Sequence, residues 1–146
     1  MIQIENFSKR YGSFWAVKDL NLHVKRGEVF GFLGPNGAGK TTTMKVLVGL
    51  VRPSSGNIRV GGLDVVAEPI RAKQIIGYIP DRPYLYEKLT AEEFLAFTAG
   101  IYGLDYPQQT KRADELLQMF GLNDWRSELV ESYSHGMKQR LTMAAA

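Results

Sequence analysis

The order of hydrophobic and polar residues changes character near Asp81. Before this point lie three short runs rich in β-branched and aromatic residues, which are typical of strands: QIENFSKRY, FWAVKDLNLHV and GEVFGFLG. The third run predicts a strand over residues 28–33. A helix over residues 39–51 is predicted to follow, apolar on all sides and therefore buried. The sequence VRPSSGNIRVGGLDV then indicates turns and a hairpin.

Beyond Asp81 the hydrophobic period becomes helical. Thr90 followed by Glu93 is the pattern of a capping box. It predicts the start of a helix whose apolar residues share one face: Phe94, Leu95, Phe97, Ile101 and Tyr102. Gly121 is expected to end a second helix, with Leu122 packed back on Leu117, after the apolar series Ala113, Leu116, Leu117 and Phe120. The pattern therefore predicts a β-rich α/β first half followed by helices.

The composition is that of a soluble globular protein. The 146 residues are 45% hydrophobic and 23% charged, which suits one domain with its own core. No apolar run approaches the ~20 residues that span a bilayer, and no secretory signal follows Met1. The absence of cysteine excludes disulfides and thiolate metal sites, and it fits a reducing cytosol. A net charge of +3 from scattered basic residues argues against nucleic acid as a partner.

The strongest motif is GPNGAGKTT, which matches the pattern G-x-x-x-x-G-K-[ST] between a predicted strand and a predicted helix. Its glycines allow backbone N–H groups to turn towards phosphate oxygens at the positive end of the helix. Lys40 is predicted to bind the β- and γ-phosphates, and the Thr41 hydroxyl to bind Mg²⁺. The alternative is a glycine-rich turn with an incidental lysine. The nucleotide-binding residues predicted here are Gly34, Pro35, Asn36, Gly37, Ala38, Gly39, Lys40, Thr41 and Thr42.

The residues around this P-loop narrow the class of protein. The stretch from SKRYG to VGGLD resembles the opening of the ATP-binding cassette (ABC) ATPases almost throughout. In that family an aromatic residue before the P-loop stacks on adenine, and the resemblance gives this role to Tyr11. Tyr11 could instead be packed in the core, and Phe14 or Trp15 would then stack on the base.

The stretch YSHGM is similar to the signature sequence of ABC ATPases, usually L-S-G-G-Q, which begins a helix. Ser134 and Gly136 match the signature, whereas Tyr133, His135 and Met137 depart from it. The form YS-x-GMKQRL resembles the subfamily that serves export-type membrane partners. In ABC ATPases the signature of one subunit closes over the ATP held by the other, so the resemblance implies that Ser134 and Gly136 contact nucleotide in a dimer. An ordinary N-capped helix is the alternative.

The segment IIGYIPDRP has Asp81 where ABC ATPases usually have a glutamine that contacts Mg²⁺ and the attacking water. An ionised aspartate is a hard oxygen ligand that Mg²⁺ accepts, and export-type relatives often carry an acidic residue at this position. The resemblance therefore implies a catalytic and metal-binding role for Asp81, beside Lys40 as a catalytic residue and Thr41 as a metal ligand. The alternative is a loop carboxylate paired with Arg82.

The later elements of the family pattern are not found in this sequence: the Walker B strand with its aspartate, the general-base glutamate and the switch histidine. The resemblance implies an α/β fold with a P-loop NTPase core, an N-terminal antiparallel β subdomain and a helical subdomain, truncated before the Walker B strand. Residues 1–86 would form the β subdomain and the P-loop part of the core, and residues 87–146 the helical subdomain. We expect the N-terminal part of a longer protein, with unpaired strand edges where the missing strand belongs.

The function implied by the resemblance is that of the ATP-binding subunit of an ABC transporter. Such a subunit binds ATP and Mg²⁺, pairs with a second ATP-binding subunit, and drives transport through a separate membrane-spanning permease subunit. It lies at the cytoplasmic face of the cell membrane. The full-length protein is expected to be an ATPase, and the 146-residue chain to be inactive. The alternatives are a soluble ABC ATPase outside transport and a nucleotide-binding fragment without hydrolysis.

Overall fold

The first two predicted strands form an antiparallel hairpin in a computed structural model of the chain. Strand β1 (Ile2–Tyr11) pairs with β2 (Phe14–Val24) along its length. Strand β3 (Ser55–Val60) pairs with the other side of β1, and β4 (Leu63–Asp64) pairs with β3, so the sheet order is β2-β1-β3-β4. All pairs are antiparallel, which confirms both the predicted β part and the hairpin in VRPSSGNIRVGGLDV.

The structure describes residues 1–81 and 84–146. They form two compact units, residues 1–77 and residues 78–146. Each unit has its own cluster of buried apolar residues. The division between the units falls earlier in the chain than the boundary after residue 86 that the sequence predicted.

Irregularities shift the register of the β1–β2 hairpin before its turn. Asn6 and Asp19 both adopt left-handed backbone conformations, with φ of 51° and 47°, which asparagine and aspartate tolerate better than most residues. The buried Ser8 hydroxyl accepts a hydrogen bond from the Asp19 N–H at 2.9 Å and donates one to Asp19 Oδ1 at 3.3 Å. Beyond these shifts, the hairpin ends with Tyr11 opposite Phe14.

Helix α1 (Lys40–Leu47) follows the P-loop and is shorter than the predicted helix over residues 39–51. Gly49 ends it by adopting a φ of 69°. Its N–H donates to the Val46 carbonyl at 3.0 Å, and the following N–H of Leu50 donates to the Lys45 carbonyl at 2.8 Å. These two bonds form a Schellman cap, which turns the chain away from the helix axis.

The core of the first unit lies between α1 and the sheet. Its buried residues are Ile4, Phe7, Val46, Leu47, Ile58, Val65 and Ala72. The predicted burial of α1 on all sides is wrong, because Met44 and Leu50 are 40% and 60% exposed. A short helix that was not predicted, α2 (Pro69–Gln74), adds Ala72 to this core.

The predicted strand over residues 28–33 is not a strand. None of the four described strands pairs with it, and Val29 and Leu33 are 100% and 92% exposed. A strand needs a neighbour to bond its backbone N–H and C=O groups. In the part of the chain that the structure describes, no strand is hydrogen-bonded to this segment, so the apolar run alone does not form one.

The second unit contains α3 (Ala91–Ile101), α4 (Tyr106–Met119) and α5 (His135–Ala145). Short 3₁₀ turns at Asn123–Trp125 and Val130–Ser132 connect α4 to α5. The buried core between these elements consists of Ala91, Phe94, Leu95, Ala113, Leu117, Leu122, Val130, Tyr133, Leu141 and Ala144. The helical character predicted beyond Asp81 is therefore confirmed.

The predicted helix ends are confirmed. The Thr90 hydroxyl accepts a hydrogen bond from the Glu93 N–H at 3.2 Å, and the Glu93 carboxylate accepts one from the Thr90 N–H at 2.8 Å. Gly121 follows α4 with a φ of 62°. Leu117 and Leu122 are both fully buried in the core, as expected for a hydrophobic contact around this cap.

Two features of α3 and α4 differ from the prediction. On α3, Phe97 and Ile101 are 46% and 69% exposed, and Tyr102 just beyond it is 58% exposed, so only part of the apolar face is buried. The start of α4 is a second capping box, formed by Asp105 and Gln108, that was not predicted from the sequence.

Among the described residues, no helix combines the length and apolar character needed to cross a membrane.

Candidate functional site

The glycines of the P-loop let the chain reverse before α1. Gly37 and Gly39 have φ of 84° and 83°, in the left-handed region that favours glycine. The Ala38 N–H donates to the Pro35 carbonyl at 3.3 Å and closes a turn. Both the N–H and the hydroxyl of Thr43, which is buried, donate to the Gly39 carbonyl, at 2.8 and 3.0 Å. The first turn of α1 is thereby fixed to the end of the loop.

Gly39 also lies in close contact with β2. A Cβ atom at this position would lie 2.4 Å from the Ala16 carbonyl oxygen and 2.7 Å from Val17 Cγ2. A Cβ at Gly37 would have no heavy atom within 4 Å. A glycine is therefore required at position 39 for two reasons. The backbone has a positive φ, and a Cβ atom would clash with β2.

Beside this contact, a cavity of about 310 Å³ lies between the P-loop and the end of the β1–β2 hairpin. Six of the predicted P-loop residues line it: Asn36, Gly37, Gly39, Lys40, Thr41 and Thr42. The hairpin contributes Tyr11, Phe14 and Ala16. Gly34, Pro35 and Ala38 are part of the loop but do not line the cavity.

The register of the hairpin decides which aromatic residues face the cavity. Tyr11 and Phe14 are paired across the turn, so their side chains lie on the same face of the sheet. They are 47% and 64% exposed, so Tyr11 is not a core residue. Arg10 and Trp15 form the next pair, and the Arg10 guanidinium lies 5.4 Å from the centre of the Trp15 ring. Successive pairs point to opposite faces, and Trp15 accordingly does not line the cavity.

The ammonium group of Lys40 is the positive charge of this cavity. It donates to the carbonyls of Gly34 and Pro35 at 2.5 and 2.7 Å, which are neutral acceptors. Within residues 1–77, all of which the structure describes, Lys40 forms no ion pair. Its charge is therefore positioned by the loop and is not neutralised by a carboxylate of the first unit.

The side-chain donors for a metal ion that residues 1–77 place on the cavity are hydroxyls and the amide oxygen of Asn36. Thr41 is exposed at the start of α1, and no carboxylate of residues 1–77 lines the cavity. A hydroxyl oxygen is a hard donor that fits Mg²⁺ when phosphate oxygens complete the shell. Asp81, the other predicted ligand, is exposed in the second unit, and its alternative partner Arg82 lies outside the described residues. The metal-binding role of both residues stays a prediction.

The second predicted site lies at the start of α5. Ser134 is the N-cap, and its hydroxyl accepts a hydrogen bond from the Met137 N–H at 3.3 Å. Gly136 has no positive φ, and a Cβ there would meet no heavy atom within 4 Å. Neither the backbone nor the packing of the described chain thus requires a glycine at this position. His135, between them, is exposed.

Tyr133 anchors the start of α5 in the core. It is 4% exposed, and its hydroxyl donates to the Trp125 carbonyl at 2.6 Å. Burial raises the pKa of this phenol above its ordinary value. The tyrosine that departs from the usual signature is therefore a packed core residue whose hydroxyl is satisfied by a backbone carbonyl.

Comparison with known proteins assigns the family. Residues 17–146 match the protein family described as ABC transporter. The chain belongs to the ABC transporter family. Its structure is similar to that of an ATP-binding subunit of an ABC transporter, with a TM-score of 0.89 and 35% identity over all of this chain and 61% of that chain. The expected α/β fold of the ABC ATPases is thus confirmed.

Curated relatives in the ABC transporter family are ATP-binding proteins. The chain is 46% identical over 146 residues to the linearmycin resistance ATP-binding protein of Bacillus subtilis, covering 100% of this chain and 47% of the relative. It is 41% identical over 146 residues to the bacitracin transport ATP-binding protein of Bacillus licheniformis, with the same shares covered, 100% and 47%. The chain spans about half the length of these curated relatives.

A further ABC cassette of known structure was solved as a dimer in a post-hydrolysis state with ADP and Pi bound. It has a TM-score of 0.84 and 26% identity to this chain, and the match covers 99% of this chain and 68% of that one. This neighbour shows that a fold of this kind in the ABC family can pair and hold nucleotide.

Two lining residues of the cavity were not predicted as such from the sequence. Ala16 has no chemical signal of its own and lines the cavity because Gly39 packs on its carbonyl. Phe14 was only an alternative to Tyr11, but the structure places both on the cavity. The signal that could have found Phe14 is the two-residue turn between it and Tyr11, which pairs the two residues directly.

We predict that Gly39→Ala destabilises the chain more than Gly37→Ala. Both substitutions place a side chain at a φ near 84°, which costs roughly 1–2 kcal/mol. Only Gly39→Ala also drives a Cβ into the Ala16 carbonyl of β2. Urea unfolding followed by circular dichroism measures both free energies. Equal losses of stability in the two variants would show that the loop does not press against the strand.

Proposed function

We propose that this chain is the ATP-binding part of an ABC transporter subunit. It binds Mg-ATP, and in the protein that carries it ATP hydrolysis is coupled to transport through a separate membrane-spanning permease subunit. The observation that carries this proposal is the cavity that places the unneutralised Lys40 and the start of α1 opposite two aromatic side chains. One end of this cavity suits phosphate and the other suits a flat base.

At the phosphate end, the loop and the helix supply positive potential. The positive φ of Gly37 and Gly39 bends the loop around the cavity, and the start of α1 adds the positive end of its dipole. Lys40 would exchange its carbonyl acceptors for the β- and γ-phosphate oxygens, a stronger, charge-assisted interaction. When bound, Mg²⁺ would neutralise phosphate charge, with the Thr41 hydroxyl as its ligand from the first unit.

At the base end, the exposed ring of Tyr11 offers a stacking face for adenine. Its partner Phe14 lies beside it on the cavity. Aromatic stacking does not depend on hydrogen-bond readout, so it holds the base by its surface. In this proposal Tyr11 holds the base while Lys40 and the loop hold the phosphates.

Pairing with a second ATP-binding subunit is supported by the start of α5. Ser134 and Gly136 offer a hydroxyl and an unshielded backbone at a helix start, a place that attracts anions. We propose that they approach the γ-phosphate of the nucleotide held by the partner subunit. The dimeric cassette with ADP and Pi in the same family supports this arrangement.

Export is the direction of transport that the relatives support. Their names describe linearmycin resistance, bacitracin transport and daunorubicin resistance. We propose that this chain serves an exporter and acts at the cytoplasmic face of the membrane, bound to its permease subunit. The transported substrate would be recognised by the permease.

The first test is nucleotide affinity, measured by calorimetry in the protein that carries this chain. Lys40→Ala is expected to abolish tight ATP binding, because it removes the cationic side chain that residues 1–77 place on the cavity. Tyr11→Ala should weaken ATP by roughly 1–3 kcal/mol, the range for a base stacked on an aromatic ring. Trp15→Ala is the matched control, since this ring lies in the same turn but not on the cavity. If Tyr11→Ala and Trp15→Ala behave alike, the base is held elsewhere.

The second test concerns the start of α5. Ser134→Arg should leave ATP binding by the single subunit intact but prevent ATP-driven dimerisation, because a bulky cation would occupy the place of the partner's γ-phosphate. Analytical ultracentrifugation with ATP and Mg²⁺ measures this directly. Ser132→Arg, another exposed serine just before the helix, is the control. Dimers that form equally well with Ser134→Arg would remove the start of α5 from the nucleotide site.

The third test concerns hydrolysis by these 146 residues alone. Attack of water on the γ-phosphate needs a group that positions and deprotonates the water. The first unit places no carboxylate on the cavity. We therefore expect no phosphate release above background at saturating Mg-ATP, and at most weak ATP binding. Steady release that disappears in Lys40→Ala would reveal a general base within the chain.

A further inference from the structure

Two ion pairs connect one short segment of the second unit to residues on both sides of Ser134. The segment supplies the anion of one pair and the cation of the other. The neighbours Glu87 and Lys88 lie before α3. Glu87 Oε1 accepts a hydrogen bond from Lys138 Nζ at 2.6 Å, and Lys88 Nζ donates to Glu131 Oε2 at 2.5 Å. Glu131 precedes Ser134 and Lys138 follows it. We call these four residues the charge clasp.

Backbone hydrogen bonds hold the same two segments together. The Glu131 N–H donates to the Glu87 carbonyl at 3.0 Å, and the Val130 N–H donates to the Leu89 carbonyl at 2.9 Å. An antiparallel bridge between Thr90 and Leu129 continues the contact. Val130 is fully buried. The segment before α3 is therefore fixed to residues 129–131 independently of the ion pairs.

On the far side of Ser134, only the Glu87–Lys138 pair extends this connection into α5 among the hydrogen bonds of the described residues. The Lys138 side chain is 21% exposed and Glu87 is 55% exposed, so the pair is partly shielded from solvent. The Lys138 hydrogen bond lowers the pKa of the Glu87 carboxyl, so the carboxylate stays ionised to a more acidic pH than an ordinary glutamate. The second pair is more exposed, with 83% of Lys88 open to solvent.

A cation in the first turns of a helix opposes the helix dipole. Lys138 occupies such a position, and the first turn of α5 contains no acidic residue to offset it. Glu87 supplies the compensating charge from outside the helix. Exposed ion pairs contribute little to the free energy of unfolding. The effect expected of this pair is therefore on the orientation of the first turn of α5.

We propose that Glu87 and Lys138 are positioning residues for Ser134 and Gly136. The charge clasp fixes the start of α5 to the segment before α3 on both sides of Ser134, so that the hydroxyl and the bare backbone of the helix start keep one orientation. Neither residue contacts nucleotide in this arrangement. The inference rests on the proposed function for the role of the helix start, but the structural connection does not depend on it.

The structural part is tested by hydrogen exchange, followed by NMR at the amides of Met137 and Lys138. Glu87→Gln and Lys138→Met should each accelerate exchange at these amides by about twofold to fivefold, while the amides of α4 and the thermal midpoint stay unchanged. Glu115→Gln breaks a more exposed pair with Arg112 on α4 and is the control for removing a surface charge. Unchanged exchange at Met137 in both clasp variants would overturn the proposal.

Rescue by charge reversal separates an ion pair from other effects of substitution. The double variant E87K/K138E restores the pair with its charges exchanged and should bring the exchange rates back towards those of the parent chain. The single variant Lys138→Arg should also show exchange rates close to those of the parent chain, because the cation is kept. If neither variant restores the slow exchange, the residues act through something other than their mutual attraction and the proposal fails.

The functional part uses ATP-driven dimerisation in the protein that carries this chain. Glu87→Gln and Lys138→Met should weaken dimerisation without changing the ATP affinity of the single subunit, and E87K/K138E should recover it. Ser134→Arg distinguishes the two proposals. If Ser134→Arg leaves dimerisation intact, the proposed function of the helix start is wrong. If Ser134→Arg blocks it but the clasp variants do not weaken it, the positioning role is wrong.

Discussion

The contact between Gly39 and β2 is the constraint on which the candidate site depends. Because no side chain separates the loop from the Ala16 carbonyl, the start of α1 lies directly beside the end of the β1–β2 hairpin. The end of the cavity proposed to bind phosphate comes from a loop and a helix, and the end proposed to bind the base comes from two strands. The close approach at Gly39 brings both ends into one cavity, and a larger residue at position 39 would push the loop away from the strand.

Features that depend on neighbouring residues were predictable from the sequence. The capping box at Thr90, the C-cap at Gly121 and the P-loop are each set by a few consecutive residues. Features that depend on distant partners were not. The apolar run over residues 28–33 reads as a strand, yet no described strand pairs with it, and the irregularities near Asn6 arise from a contact with the other strand of the hairpin. Strand formation is a property of a pair of segments.

The candidate site shows the same division. The P-loop residues form one contiguous motif, so they were predicted together, whereas the sequence predicted Tyr11 for the aromatic surface and left Phe14 and Trp15 as alternatives. The register of the hairpin separates them, because adjacent pairs face opposite sides of the sheet. The ion pair between Glu87 and Lys138 gave no sequence signal, because the packing of the second unit alone brings the two residues together.

The two proposed anion sites share one electrostatic feature, which is the charge at the start of their helices. Three of the five described α-helices have an acidic residue at the N-cap or in the first turn: α2 has Glu68 and α4 has Asp105 at the N-cap, and α3 carries Glu92 and Glu93 in its first turn. The other two, α1 and α5, have Gly39 and Ser134 at the N-cap and no acidic residue in the first turn. A carboxylate there would stabilise the helix by offsetting its dipole, but it would also repel a phosphate. The two helices without an acidic residue at these positions are the two that the proposed function assigns to ATP, and at α5 the nearby carboxylate of Glu87 offsets the charge of Lys138.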